Sequence, residues 1–219
     1  RPPRSTPLYS SAASDVYKRQ TSTIAEAGAF IKTRDDLEAP NIQYHYAPAM
    51  VVDHGRTSVW GTGMSCHSCL LRPKSRGEVT LESADPFADP LIDPKFLSHP
   101  DDVKDMIDGY KIMMKVLNTE PFSKYIQEHT QRPVDVNDDA DIELAIREDA
   151  DTVYHPVGTC KMGNDDMSVV NNRLKVHNMN NLRVVDASIM PTLVGGNTNA
   201  PTIMIGEKAS DMIIEDWNI

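Results

Sequence analysis

The sequence predicts an α+β fold: an antiparallel sheet with helices, followed by a separate β-loop-helix return at the end of the chain. Three observations carry this. Strand-like segments fall before residue 84, helix-period segments follow from residue 100, and one apolar run, Leu182-Arg183-Val184-Val185, feeds a glycine-rich loop and a terminal helix. Strands, then helices, then one strand feeding one helix is the order expected of segregated layers.

Residues 1–20 show no sustained helical or strand period. They resemble translated cloning-adaptor sequence, so we expect a non-native leader there and a true chain that begins upstream of Thr21. Ile24 to Ile31 reads as a strand and turn. Ile42 to Val52 is rich in Tyr, Ile and Val, which suits a pleated surface, with Pro48 at a bend or an edge. Met64 to Leu71 reads as a second strand after Gly61 and Gly63. Glu78 to Ser83 alternates polar and apolar residues as a half-exposed antiparallel strand does, and the Asp/Pro-rich run Asp85 to Pro94 reads as loop.

His99-Pro100-Asp101-Asp102 offers a cap and an acidic first turn. Beyond it Val103, Met106, Ile107, Tyr110, Met113, Met114 and Leu117 recur at helical spacing, the methionines as core filler. A short helix is expected after Pro121. A further one spans Asp138 to Ala150, with Ile142, Ala145 and Ile146 inward. Leu182 to Val185 reads as a buried strand ending at Asp186. The last helix begins near Pro201, where a first-turn proline is tolerated, and its apolar face is Ile203, Met204, Ile205, Ala209, Met212 and Ile213.

The chain is long enough to bury a sizeable core, and its net charge of −10 excludes the clustered cations of a nucleic-acid surface. No run of about 20 apolar residues is present, so no transmembrane helix is expected, while peripheral attachment stays open. Cys66, Cys69 and Cys160 cannot all pair, which favours a reducing compartment. The expected location is therefore cytoplasmic or peripherally membrane-associated.

His155 lies in a loop stiffened by Pro156, Gly158 and Gly163; such a histidine is either structural or the general base that deprotonates an alcohol. Gly195-Gly196-Asn197-Thr198-Asn199-Ala200-Pro201-Thr202 is either an ordinary helix start or a place where free N–H groups and a positive dipole end meet a developing anion or polar ring edge. Asp186 is either a turn residue or a ligand to a cofactor hydroxyl. Cys66-His67-Ser68-Cys69 is a single C-x-x-C with no second pair, and a four-ligand zinc site would need more, with His54 and His67 as the obvious additions.

Together these stretches resemble a known family. Tyr154-His155-Pro156-Val157-Gly158-Thr159-Cys160-Lys161-Met162-Gly163, Arg173-Leu174-Lys175-Val176-His177, Val184-Val185-Asp186-Ala187-Ser188 and Gly196 to Thr202 are similar to the C-terminal region of glucose-methanol-choline (GMC) flavin oxidoreductases. Leu70-Leu71-Arg72-Pro73-Lys74-Ser75-Arg76-Gly77 and Leu91-Ile92-Asp93-Pro94 resemble its choline and aliphatic alcohol dehydrogenase branch. The resemblance implies FAD as cofactor, a small-molecule alcohol as substrate, and oxygen or a quinone-type carrier as electron acceptor. It implies a partial substrate domain at 21–155 and, at 156–219, a segment completing a Rossmann-like FAD-binding domain whose main part is absent. It also implies His155 and Asn197 as the catalytic pair, and Asp186, Ala187, Asn199, Pro201 and Thr202 beside the FAD.

The G-x-G-x-x-G fingerprint of that domain does not occur, so the chain alone is expected to hold FAD loosely and turn over little. Two other readings stand beside this one: a lyase of the same fold acting on cyanohydrins, and a non-catalytic module binding metal through Cys66 and Cys69.

Overall fold

A computed structural model describes residues 25–53, 56–57, 59–120, 122–129 and 132–218; the expected leader, Ile24 and His54 lie outside the described residues. Three strands, β1 (Ala27–Ile31), β2 (Ile42–Ala47) and β3 (Ser65–Leu70), form an antiparallel sheet in that spatial order. Its register is pinned at one end by Asn41. The Asn41 amide bonds the backbone N–H and hydroxyl of Thr33 at 2.9 Å each, its own N–H reaches the Ile31 carbonyl, and its carbonyl accepts from Leu71 N–H at 2.9 Å. All the polar groups of a buried residue are thereby satisfied.

Alternation gives the sheet two unlike faces. Ile42, Tyr44, Cys66, Ser68 and Leu70 face α1 (Pro100–Leu117), which lies across the sheet. The approach is close because position 109 is glycine: a Cβ there would lie 3.1 Å from both the Ile42 side chain and Ser68 Oγ. The Tyr44 hydroxyl uses that gap, donating to the Gly109 carbonyl at 2.6 Å. A mid-helix glycine costs about 0.5–1 kcal/mol relative to alanine, which the packing of Ile42, Tyr44, Met113 and Leu117 offsets.

α1 begins as its sequence predicts, with His99 accepting from Asp101 N–H and Pro100 in the first turn. Its other side packs Val103 and Ile107 against Ile142 and Ile146 of α2 (Asp139–Asp149), which Asp138 caps. Ile142, Ala145 and Ile146 face inward as the spacing requires. Asp102 ties the turn after β3 to α1. Its buried carboxylate accepts from Lys74 N–H and Ser75 N–H at 2.8 Å and from the Ser75 hydroxyl at 2.5 Å.

The final segment has a core of its own: Val170, Leu174, Ile189, Met190, Ile205 and Ala209, with Val157, Val184, Val194 and Met212 packed on it. The last helix, α3 (Asn199–Trp217), is clamped near its end by ion pairs. The Asp216 carboxylate meets Lys175 at 2.5 Å, Arg173 at 2.7 Å and also Arg183. Among the described residues no helix is long and apolar enough to cross a membrane.

Several expectations are corrected. β2 stops at Ala47, before Pro48, and does not reach Val52. The run expected as loop contains β5 (Leu91–Asp93), which pairs with β4 (Glu78–Thr80); β4 in turn ends three residues short of Ser83. A three-residue strand between Pro90 and Pro94 is too short to show a period. The expected helix after Pro121 is one 3-10 turn, Ser123–Tyr125.

Leu182 to Val185 is not a buried strand. Leu182 and Val185 are exposed, and only Arg183 makes a bridge, to Lys175, so the run lacks the flanking ladders that bury a strand on both faces. In α3 the inward stripe is Ile205, Ala209 and Met212, while Ile203 and Met204 are more than half exposed and Ile213 lies at the edge. The 3.6-residue period carries those residues round to the other side.

Asp102→Ala removes three hydrogen bonds and leaves two N–H groups unpaired, and should cost about 3 kcal/mol. Urea unfolding checks this; a change under about 0.5 kcal/mol, typical of plain surface positions, would show the tie is idle. Lys175, then Arg173, hold the Asp216 carboxyl down at about 2 against the usual 3.8. The clamp's contribution should therefore be complete above pH 3.8 and be lost as pH falls through 2. Hydrogen-exchange protection in the last turns of α3, taken relative to the intrinsic exchange rate at each pH, should fall across that window in the native chain and stay constant in Asp216→Asn.

Candidate active site

His155 sits in the segment joining α2 to the C-terminal core, and local bonds fix its backbone. Tyr154, at φ 63°, donates its N–H to the Thr152 hydroxyl at 3.0 Å. Gly158 has φ 91°, a conformation L side chains rarely adopt, and its carbonyl accepts from Lys161 N–H. Cys160 N–H and Met162 N–H then bond the carbonyls of Ser188 and Ile189 at 3.0 and 2.8 Å. The histidine loop is thus laced to the segment that carries Asp186 and Ala187.

Asn197 leaves the same core by another route. Val157, two residues after His155, and Val194, three before Asn197, pack on one hydrophobic cluster. Gly196 is open, with nothing within 4 Å of where a Cβ would stand, and Asn197 and Asn199 are exposed. Among the described residues Thr198 provides no side-chain cap, and the N–H groups of Asn199 and Ala200, in the first turn, have no intrahelical partner. Pro201 is half-buried. The Thr202 hydroxyl donates to the Thr198 carbonyl at 2.7 Å, which leaves its oxygen only an acceptor's role.

Asp186 lies on the surface. One oxygen of its carboxylate accepts from Ser188 N–H at 2.7 Å and caps the 3-10 turn Ala187–Ile189; Ala187 packs on the core. The turn reading of Asp186 is what the chain displays, with a second oxygen left over.

His45 escaped the sequence reading. On β2 it points away from Tyr44 and α1, and stands opposite His67 on β3. Burial first, then the His67 and His155 charges, hold the pKa of His45, on the open face of the sheet, below the usual 6.5. That face carries Phe30, Gln43, His45, Ser65, His67 and Cys69. Period-two alternation in Gln43-Tyr44-His45 could have shown that His45 faces away from Tyr44, but nothing local in sequence shows that His67 stands opposite it.

The metal reading of Cys66 and Cys69 is overturned. Three residues apart on a strand, the thiols point to opposite faces, so they cannot share an ion or close a disulfide. Burial pushes the Cys66 thiol up to about 11 and raises that of Cys69. Among the described residues no group of three His, Cys, Asp or Glu side chains is placed to hold a metal ion.

Known proteins resemble this chain. Residues 73–206 match the family described as "GMC oxidoreductase". The alcohol dehydrogenase [acceptor] of Pseudomonas putida is 48% identical over 202 residues, covering 91% of this chain and 37% of that protein. The oxygen-dependent choline dehydrogenase of Klebsiella pneumoniae is 43% identical over 188 residues, 86% of this chain and 34% of the relative. The chain spans little more than a third of the length of these relatives.

Among solved structures, pyridoxine 4-oxidase from Mesorbium loti superposes with a TM-score of 0.75 at 26% identity, covering 86% of this chain and 37% of that one. A formate oxidase from Aspergillus oryzae RIB40 gives 0.75 at 29%, over 82% and 32%. With the match running from the turn after β3 through the histidine loop to the first turns of α3, the chain belongs to the GMC oxidoreductase family.

Proposed function

We propose that this chain is the substrate-domain and closing part of a flavin-dependent enzyme that oxidises a primary alcohol, choline-like or aliphatic, to an aldehyde. In this reading residues 21–155 belong to the substrate domain and 156–219 complete the FAD-binding domain. The observation that carries it is the convergence of two loops on one core cluster, His155 on one and Asn197 on the other, through Val157 and Val194. The P. putida and K. pneumoniae relatives are both dehydrogenases by name, which supports redox chemistry over the lyase alternative.

The residues present suit a flavin. Open space beside Gly196, unpaired N–H groups at Asn199 and Ala200, and the positive end of α3 fit the polar edge of a planar ring carrying partial negative charge. Asn199, Pro201, Thr202, Ala187 and the free oxygen of Asp186 are the groups that would hold FAD. When bound, FAD supplies the acceptor for the hydride that leaves the alcohol carbon. His155 takes the hydroxyl proton, Asn197 orients that hydroxyl, and His45, neutral at pH 7, walls the alcohol from the sheet side. Oxygen or a quinone-type carrier takes the electrons, in a cytoplasmic or peripherally membrane-attached setting.

In the flavin-loaded full-length protein, His155→Ala should slow anaerobic flavin reduction by alcohol about 10²–10⁴-fold, the usual worth of a positioned base. Asn197→Ala should cost about tenfold, the loss of one hydrogen bond. Wild-type kinetics in His155→Ala would sink the mechanism, and a flavin that no alcohol bleaches would sink the reaction. Charging His45 at acid pH puts a cation beside His155, so the acid limb of the rate profile should be steeper in the wild type than in His45→Gln. Identical limbs would separate His45 from the site.

A further inference from the structure

We propose that Arg72 is a positioning residue for the loop that carries Asn197, acting through Gly195; the inference rests on the alcohol-oxidation reading above. Val194 to Gly196 form a tight turn in which Gly196 N–H bonds the Val194 carbonyl at 2.8 Å, with Gly195 at its centre. A Cβ on Gly195 would stand 2.5 Å from Arg72 Nη2, 2.9 Å from Cζ and 3.4 Å from Nη1. The guanidinium is therefore pressed on the Gly195 backbone, and position 195 is glycine to admit it and not to adopt a positive φ. One residue on, Gly196 meets nothing within 4 Å. The loop is backed on one side by Arg72 and open on the other.

The backbone that carries this exposed side chain is held in place. Arg72 follows Leu71, which is buried and hydrogen-bonded to Asn41 at the end of the sheet, and precedes Pro73, which restricts the Arg72 backbone to extended conformations. Among the described residues Arg34, Arg56, Arg132, Arg147, Arg173 and Arg183 each meet a carboxylate, whereas Arg72, like Arg76, forms no ion pair. Its charge is not spent on a surface bridge, and its planar face is what meets the turn. β2 of the same sheet carries His45. Arg72 thus backs, from the end of the sheet, the turn that leads into Asn197, a placement to which hydride transfer is sensitive, since a misplacement of about 1 Å can cost about 10²-fold.

The test is a double-mutant cycle in the flavin-loaded full-length protein, read as the rate of anaerobic flavin bleaching and as the alcohol concentration giving half-maximal rate. Arg72→Ala and Gly195→Ala should each slow bleaching about tenfold, because a Cβ at 195 displaces the flexible end of Arg72 and so acts on the same contact, with half-saturation moved less than about twofold, because loop placement and not alcohol affinity changes. The double variant should return to the level of Arg72→Ala alone, since truncating the guanidinium removes the clash. Arg72→Lys should not restore the rate, because an ammonium lacks the planar face.

Bleaching at the wild-type rate in Arg72→Ala, or multiplicative losses in the double variant, overturns the role of Arg72. If Gly195→Ala yields no folded protein, Arg72→Ala and Arg72→Lys decide alone: a tenfold loss that lysine fails to rescue supports the role, and full rescue by lysine overturns it. A wild-type flavin that no alcohol bleaches removes the dehydrogenase reading and this role with it, whereas bleaching wild type with an uncoupled cycle removes only this role.

Discussion

The contact of Tyr44 with Gly109 orders the first half of the molecule. The hydroxyl bond at 2.6 Å forms where α1 has no side chain and lies close to Ile42 and Ser68, and it commits the even-numbered residues of β2 to the helix. Strand geometry then leaves Gln43 and His45 on the other face. The polar face of the sheet follows from how its apolar face is satisfied: every residue that packs on α1 assigns its neighbours to the open side. The cross-strand partners of β3 obey the same rule, which is why His67 accompanies His45 while Cys66 joins the core.

The second half is held differently. It has little regular structure before α3 and is organised by one hydrophobic cluster and by backbone hydrogen bonds between loops. Loops stabilised in this way can keep fixed places while exposing their tips, which is the usual situation of catalytic residues. The Asp216 clamp closes the unit by tying the end of α3 to Arg173, Lys175 and Arg183. Positive charges that would otherwise crowd a short segment become its fastening.

The two halves meet where the chemistry is proposed. His155 comes from the loop after α2 and His45 from the sheet, while Arg72 reaches from the end of β3 to the turn before Asn197. Large apolar side chains stay exposed on α3 at Ile203, Met204 and Ile214. The exposed Asn197 and Asn199 leave the glycine-rich loop accessible from the side away from the core.

By itself the sequence determined the long elements and the family. α1 and α2 carry caps and periodic apolar residues that need no partner to be read, and the motifs around His155 and Asn197 are dense enough to identify a GMC oxidoreductase. It misjudged short or partner-dependent features: β5 is too brief to show a period, and Leu182 to Val185 has strand composition but a single bridge. What only the tertiary structure decided is which distant residues meet. His45 opposite His67, the opposed thiols of Cys66 and Cys69, and Arg72 against Gly195 each depend on the faces that packing assigns, and side-chain direction in a sheet is set by what lies across it, which no local pattern records.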